Sequence, residues 1–489
     1  MKYLLGIDFG GGSSKATLLC ECGKVVATAS YEYPTHYPNS GWAEQNPEDW
    51  YTATKENIKE IIKESGVDPK DIAGVALDAA THTAVVMDKD FRVLRPAIYW
   101  TDTRTQSQVA FLKENFGELI LNQALHAPGT IWTLPQLMWI KENEPDIWGK
   151  TDKICFAKDY VRHKLTGDYV TDYIEAEGSM LFDFNKMDWS EDLCNLADFP
   201  AEKLPRLVSP MEIAGRVTEE ASRDTGLALN TPVICGTTDT VMEVFAAGGA
   251  EKGAMTVKLA TAGRICVVTD RAYPNANLIN YSHFIDGLWY PGTATKSCAS
   301  SYRWFRDTFE GDYNALDEEA SLTEVGAEGL VFHPYLNGEL TPYNNPKLSG
   351  SFVGVRSNHT KGHFARAVME GVAMSMKDCM QALDSIGIEH NKTAVVIGGG
   401  SKGALWRQIL ADSLDVTLIQ KKRSDSSFGS AMLAGLAIGI WKTPMEALEK
   451  CNETLSETVP NRENTEKYNK QFEKYKKIQK ALEPIYNEE

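Results

Sequence analysis

Asp8 and the glycine-rich turn that follows it are the first candidates for chemistry in this sequence. Asp8 ends an apolar stretch, and the turn consists of Gly10, Gly11, Gly12, Ser13, Ser14 and Lys15. Such turns expose backbone N–H groups that bind phosphates, and a strand-end carboxylate can hold a water molecule of Mg²⁺. The pattern favours a polyphosphate site, and a tight hairpin with a solvated Lys15 is the alternative. No Gly-Lys-Ser/Thr run opens a helix here, so the turn is not a P-loop.

Asp239 is the second candidate. It follows the apolar residues 233–235 in the segment 236–240, of sequence GTTDT, and precedes small and apolar residues. A carboxylate at such a strand-to-helix junction can accept a substrate proton, with nearby hydroxyls and helix amides keeping it ionised. A helix cap fits the same residues equally well.

Polar residues also gather where two further predicted strands end. Thr81 and His82 connect two apolar segments, and Asp102 follows a third. Proteins with alternating strands and helices bind ligands at such strand ends. His82 could equally be a hydrogen-bonded structural histidine. The other histidines show no metal-binding spacing, and the sequence has no G-x-S-x-G motif, so metallohydrolase and serine-hydrolase chemistry lack support.

A glycine motif near the end, Gly398-x-Gly400-x-x-Gly403, formally matches the dinucleotide fingerprint of dehydrogenases. The strand that follows it ends in residues 420–423, of sequence QKKR, without the acid that binds a ribose hydroxyl. A glycine-lined shelf for an adenine nucleotide fits these residues as well, and it agrees with the first glycine turn.

The elements that must position these residues alternate between strands and helices. Strands are predicted over 3–8, 16–20 and 25–27, and a helix follows Asn46, which can cap it, as far as Gly66. Strands over 72–78 and 84–88 come next, so the sequence indicates an α/β fold. A second strand-turn-strand over 254–268 echoes the opening hairpin, which places a domain boundary near residue 245.

The chain then ends in another α/β unit and a tail helix. Strands are predicted over 394–397 and 416–420, with a helix from about 402 to 414 between them. From residue 462 an apolar stripe at helical spacing predicts a tail helix that docks on its own domain.

Composition excludes several classes of function. The chain has 489 residues and a net charge of −17, which disfavours nucleic acid and anionic membrane surfaces as partners. Its 9 cysteines are odd in number and include no C-x-x-C pair, so neither a disulfide framework nor a zinc site is expected. Without a signal peptide or a long apolar run, we expect a cytoplasmic protein.

Taken together, these segments resemble the FGGY family of carbohydrate kinases. Residues 350–355, of sequence GSFVGV, and 363–370, of sequence HFARAVME, match the second signature of that family, and other segments are similar to its xylulose kinases. The resemblance implies two ribonuclease H-like domains of the actin-like ATPase type around a hinged cleft. Residues 1–245 would form the sugar-binding side, and residues 246–489 the nucleotide-binding side with the tail helix.

The resemblance also implies roles for single residues. Asp239 would be the catalytic base and, with Asp8, would serve the Mg²⁺ ion. The ATP site would comprise two phosphate turns and an adenosine shelf, formed by Gly11, Gly12, Ser13, Ser14, Lys15, Thr261, Ala262, Gly263, Gly399, Gly400 and Ser401. The sugar pocket would be lined by Thr81, His82, Asp102, Asp239 and Thr240.

The implied reaction is transfer of the γ-phosphate of MgATP to a hydroxyl of a small sugar. Gly11-Gly12, Thr81-His82-Thr83 and Thr238-Asp239-Thr240 depart from the residues usual in xylulose kinases. The substrate therefore stays open between a ketopentose such as xylulose and a related ketose or polyol. A regulatory relative that binds sugar and nucleotide without phosphotransfer is the alternative, against which Asp8, Asp239 and the glycine turns argue. The oligomeric state also stays open, with a homodimer as one possibility.

Overall fold

The computed structural model describes residues 1–488, in which strands and helices alternate. The elements of the first half are β1 (Tyr3–Phe9), β2 (Ser13–Cys20), β3 (Val25–Glu32), β4 (Glu44–Gln45), α1 (Pro47–Ser65), β5 (Ile72–Ala79), β6 (Ala84–Met87), β7 (Ala97–Ile98), α2 (Gln106–Ala124), α3 (Thr133–Asn143), α4 (Pro145–Trp148), β8 (Lys153–Phe156), α5 (Ala157–Thr166), β9 (Val170–Asp172), α6 (Tyr173–Gly178), β10 (Phe182–Asp183), β11 (Asp188–Trp189), α7 (Glu191–Ala197), β12 (Arg206–Val208), β13 (Ile213–Arg216), α8 (Glu219–Thr225), β14 (Pro232–Ile234), β15 (Thr237–Thr238) and α9 (Asp239–Ala246).

The elements of the second half follow the same alternation. They are β16 (Met255–Leu259), β17 (Gly263–Val267), β18 (Gly292–Ala294), α10 (Ala299–Thr308), α11 (Tyr313–Ser321), β19 (Val331–His333), β20 (Ser351–Val353), α12 (Lys361–Ser385), β21 (Thr393–Ile397), α13 (Ala404–Leu414), β22 (Thr417–Lys421), α14 (Ser426–Ala437), α15 (Pro444–Cys451), β23 (Thr454–Thr458) and α16 (Arg462–Asn487).

Each half contains one large sheet, and the two sheets have the same core order. The first has the order β13-β14-β5-β1-β2-β3, and the second has the order β18-β17-β16-β21-β22-β23. In both, an antiparallel meander of three strands continues through its first strand into a parallel neighbour. This repeat confirms the predicted α/β architecture with two sheet-containing domains, and it explains why the second hairpin echoes the first.

The predicted helix boundaries near both ends of the chain are also confirmed. The Asn46 side chain accepts a hydrogen bond from the Glu48 backbone at the start of α1, and Gly66 ends that helix with a φ of 64°. At the other end, α16 buries Tyr468, Phe472 and Tyr475 in the core of the second half. The tail helix therefore docks on its own domain, as its apolar stripe predicts.

One helix of the second half packs on the sheet of the first. The Ser427 hydroxyl of α14 lies 2.8 Å from that of Thr17, and Ser430 donates a 2.6 Å hydrogen bond to Asp78. A Cβ at Gly6 would lie 1.9 Å from the Ser427 carbonyl oxygen, so this close packing requires glycine in β1. The two halves are thus joined by this packing as well as by the chain connection near residue 245. The domain boundary near residue 245 itself stays a proposal.

Two further features concern the cysteines and the helices. The expectation of no disulfide framework needs a correction, because the structure joins Cys20 and Cys22 at the end of β2. The spacing rules did not predict this pair because only one residue separates the two cysteines, fewer than in a C-x-x-C motif. Within residues 1–488, no helix is both long and apolar enough to cross a membrane.

Candidate active site

Three acidic side chains, Asp8, Asp78 and Asp239, lie near one another at the end of the first sheet without converging on a single point. Asp8 lies opposite Asp78 in the parallel pairing of β1 with β5, and opposite Lys15 in the hairpin. Burial, followed by the charge of Asp239, raises the pKa of Asp8 to about 7. Burial and the charge of Asp8 raise the pKa of Asp78 well above its usual value. Burial and the charge of Asp8 therefore both favour the protonated form of Asp78.

Asp239 is the first residue of α9, at the junction that the sequence predicts. Its carboxylate accepts a 3.1 Å hydrogen bond from the Thr240 hydroxyl. Burial, followed by the charge of Glu243, raises the pKa of Asp239 to about 6, while Lys258 opposes the rise. The group is ionised at neutral pH yet more basic than an ordinary aspartate, which suits a general base.

The first glycine turn is held in place through its carbonyl groups. The Gly10 carbonyl accepts from the Tyr33 hydroxyl, and the Gly11 carbonyl accepts from Thr35 and Gln45. Gly11, Gly12 and Lys15 are exposed, whereas Ser14 is buried with its hydroxyl bonded to the Asn57 amide. The predicted phosphate turn is accessible at its tip, but the Ser14 hydroxyl belongs to the core.

The second turn and the predicted adenosine shelf lie side by side, because β16 and β21 are parallel neighbours. The Thr261 carbonyl accepts from the Cys298 backbone and the Ser300 hydroxyl at the start of α10. Gly398 opens the shelf with a φ of 92°, and a Cβ there would lie 2.6 Å from the Leu259 carbonyl oxygen.

Within the shelf, Gly399 is exposed, and the Ser401 hydroxyl donates to the Gly398 carbonyl. Thr261 and Ala262 are exposed beside it, while Gly263 is buried. The structure therefore brings the predicted second turn and the shelf to one surface.

The His82 loop is held in an unusual backbone conformation. His82 has a φ of 58°, in the left-handed region that non-glycine residues seldom adopt. Its N–H donates to the buried Glu175 carboxylate at 2.6 Å, and its carbonyl accepts from Thr133 at 2.8 Å. Burial lowers the pKa of His82 to about 3, so the ring is neutral at physiological pH. The hydrogen bonds to Glu175 and Thr133 therefore fix the backbone of this loop, and with it the directions of the His82 and Thr81 side chains.

Asp102 is buried, and other protein groups use both of its oxygens. It accepts from the Ala43 backbone at 2.6 Å and forms an ion pair with Arg104 at 2.7 Å. The Arg104 guanidinium in turn stacks on Trp42. Asp102 thus holds two loops together, and little of its hydrogen-bonding capacity is left for a sugar.

Sequence reasoning missed several residues of this region. Asp78 had a signal, since it ends an apolar strand as Asp8 does. Lys258 also had one, because it is a charge within the apolar strand β16. Glu243 had a signal too, because it lies one helical turn after Asp239. His126 and Arg264 had no sequence signal, because tertiary packing alone brings them to Asp239 and His82.

The chain matches the models of two domains of one protein family. The model of the FGGY family of carbohydrate kinases, N-terminal domain, matches residues 3–246, and that of the C-terminal domain matches residues 233–438. The chain belongs to the FGGY family of carbohydrate kinases. This family membership makes it a phosphotransferase with an alcohol group as acceptor, and kinases of this family use ATP.

Individual relatives of this FGGY kinase differ in their named substrates. It is 33% identical to the xylulose kinase of Bacillus subtilis, over 98% of this chain and 97% of the relative. It is 29% identical to the gluconokinase of the same organism, over 89% of this chain and 87% of that protein. The crystal structure of xylulose kinase from Rhodospirillum rubrum superposes with a TM-score of 0.92 at 28% identity, covering 99% of this chain and 100% of that one.

The acidic residues of this FGGY kinase fit a nucleotide-bound Mg²⁺ rather than a metal held by protein alone. In the part of the chain that the structure describes, no three His, Cys, Asp or Glu side chains converge on one metal position. Mg²⁺ usually keeps several waters and binds one or two carboxylates together with substrate phosphates. Asp8 and Asp239, beside an accessible glycine turn, are a donor set of that kind.

Proposed function

We propose that this FGGY kinase transfers the γ-phosphoryl group of MgATP to a hydroxyl of a small sugar, a ketopentose such as xylulose or a related ketose or polyol. The observation that carries the proposal is the environment of Asp239. A half-buried carboxylate with a pKa of about 6 lies beside a second carboxylate, Asp8, and a glycine turn with the exposed Lys15. Proton acceptor and phosphate-binding groups therefore occur together.

In the proposed reaction, Asp239 accepts the proton of the sugar hydroxyl as that oxygen forms its bond to the γ-phosphorus. The bond between the γ-phosphorus and the bridging oxygen breaks, and ADP leaves with the electron pair. Asp8 and Asp239 would hold Mg²⁺ directly or through water, and the ion would neutralise charge on the phosphates. Because the transition state of phosphoryl transfer is loose, alignment and charge neutralisation supply most of the rate.

Residues 1–245 would contribute most of the sugar site and residues 246–489 most of the nucleotide site. The turn over 261–263 would contact the phosphates, and the shelf of Gly399, Gly400 and Ser401 would contact the adenosine. The exposure of Gly399, Thr261 and Ala262 on one surface supports this division. Closure of the two halves would exclude water and limit hydrolysis of ATP.

The substrate class rests on relatives whose names give either xylulose or gluconate. We place a ketopentose first because the more similar of these two relatives is a xylulose kinase. Because the residues beside Asp239 and His82 differ from those usual in xylulose kinases, the test also includes related ketoses and polyols.

The test is to incubate the full chain with MgATP and a panel of ketopentoses, ketotetroses, polyols and aldonates while ADP is measured. ADP formation that depends on one class of sugar is the expected result. Sugar binding without ADP would favour the regulatory alternative, and ADP with gluconate alone would overturn the proposed substrate class.

A further inference from the structure

Arg264 lies where the two halves of the chain meet, beside the proposed base. It is the residue after Gly263 of the second turn, and its side chain extends from β17 towards α9. Its Nη1 lies 3.4 Å from the hydroxyl of Thr240, the neighbour of Asp239. The charge of Asp239 also acts on its guanidinium. A cation from the second half therefore reaches the proposed sugar site of the first.

Arg264 is half-buried as a residue, and two nitrogens of its guanidinium, Nε and Nη2, are buried and unused. Within residues 1–488, neither Nε nor Nη2 has a hydrogen-bond acceptor. The neighbouring Cys266 is a weak acceptor at most, because burial raises the pKa of its thiol and keeps it neutral. Buried donors without acceptors destabilise the folded state, so a site that keeps them points to a ligand that satisfies them.

His126 lies near the same region, and its polar atoms are also buried without hydrogen-bond partners. It is 1% exposed, and across the described part of the chain neither of its ring nitrogens finds a partner. Its ring stacks on Trp132 with centroids 4.4 Å apart and lies 5.4 Å from Tyr281. On the other side of Trp132, the His82 ring lies at 5.0 Å. Aromatic rings thus surround nitrogens that can donate to or accept from a ligand.

We propose that Arg264 and His126 bind oxygens of the sugar substrate and so determine its specificity. This inference rests on the proposed function, since it places the sugar between His82 and Asp239. Nε and Nη2 form one edge of the guanidinium, and two parallel donors of this kind match two neighbouring oxygen acceptors. Adjacent keto and hydroxyl oxygens of a ketose provide such a pair, and so does the carboxylate of an aldonate. D-Xylulose and D-gluconate are the probes that distinguish these two sources.

The test uses isothermal titration calorimetry of each probe into the full-length protein, before any turnover is measured. Arg264→Met should weaken binding of the preferred probe by about tenfold or more, because two hydrogen bonds to a charged donor are lost. Arg264→Lys keeps the charge but lacks the two-donor edge, so we expect it to weaken binding as well. His126→Phe keeps the stacking on Trp132 and should also weaken binding.

Stability separates this role from a structural one. Since the replaced donors are unused, Arg264→Met and His126→Phe should leave the thermal midpoint unchanged or raise it. Arg303→Met on α10 removes the same charge from an exposed position and should alter neither sugar binding nor stability. The KM for ATP should stay within about twofold in all four variants.

Two patterns of results would overturn the inference. One is unchanged sugar affinity in Arg264→Met and His126→Phe. The other is a loss of affinity for ATP rather than for sugar, which would assign Arg264 to the phosphates. If the wild type binds a probe but forms no ADP, the proposed function fails while the binding role of Arg264 is still measured.

Discussion

Lys258 Nζ lies 2.5 Å from Glu243 Oε2, an ion pair that joins β16 of the second half to α9 of the first. Glu243 lies one turn after Asp239 on the same helix, so both partners of the ion pair act on the proposed base. Glu243 raises the pKa of Asp239 and Lys258 lowers it. The basicity of Asp239 is therefore balanced between the two halves of the chain.

The pH dependence of catalysis should follow this balance. Asp239 accepts a proton only when ionised, so we expect kcat/KM to fall as the pH falls through about 6. Lys258→Met removes a charge that lowers the pKa of Asp239 and should shift this acid limb to higher pH. Glu243→Gln removes a charge that raises it and should shift the limb to lower pH.

Profiles of kcat/KM against pH for the three proteins provide the measurement. Opposite shifts are the expected outcome. Shifts in the same direction, or an acid limb that neither substitution moves, would show that another group titrates.

Gly398 should be far less tolerant of a side chain than its neighbour Gly399. Gly398→Ala places a Cβ against the Leu259 carbonyl oxygen in a left-handed conformation, whereas the Cβ of Gly399→Ala meets nothing within 4 Å. We expect Gly398→Ala to lower the free energy of unfolding by about 1–3 kcal/mol and Gly399→Ala to change it little. Urea denaturation without nucleotide measures both, and equal losses would contradict the assigned geometry.

Thr133 should support sugar binding through the His82 loop. Thr133→Val removes the donor to the His82 carbonyl and leaves a buried acceptor unpaired, which costs about 1–3 kcal/mol. We expect the KM for sugar to rise several-fold while the KM for ATP stays constant.

Thr54→Val is the matched control, because Thr54 is equally buried and its hydroxyl donates to the Trp50 carbonyl within α1. Steady-state kinetics on both variants test the claim. A rise in the KM for sugar in both, or in neither, would mean that the His82 loop does not depend on Thr133.

Much of the fold follows from the sequence, because its signals are local. Asn46 and Gly66 mark the ends of α1, and the stripe containing Tyr468 and Phe472 marks the docked face of α16. The packing of α14 on the first sheet could not be predicted, since Ser430 and Asp78 are separated by 352 positions along the chain. Local sequence patterns do not predict contacts between residues so far apart in the chain.

The candidate site was predictable to a similar extent. Asp8 and Asp239 stand out because each is an acid that closely follows an apolar segment. Sequence position alone did not reveal that Ser14 points into the core. It also did not reveal that an ion pair with Arg104 uses the hydrogen-bonding capacity of Asp102. These outcomes depend on which way a side chain turns once distant elements have packed.

The role of Asp239 is the central claim, and Asp239→Asn tests it most directly. The substitution keeps the shape of the side chain and removes the proton acceptor, whose contribution in general base catalysis is about 10²–10⁴-fold. With the preferred sugar and saturating MgATP, we predict that kcat falls by that factor or more while the dissociation constant for ATP stays within about threefold. A kcat within tenfold of the wild type, in a correctly folded variant, would contradict the account.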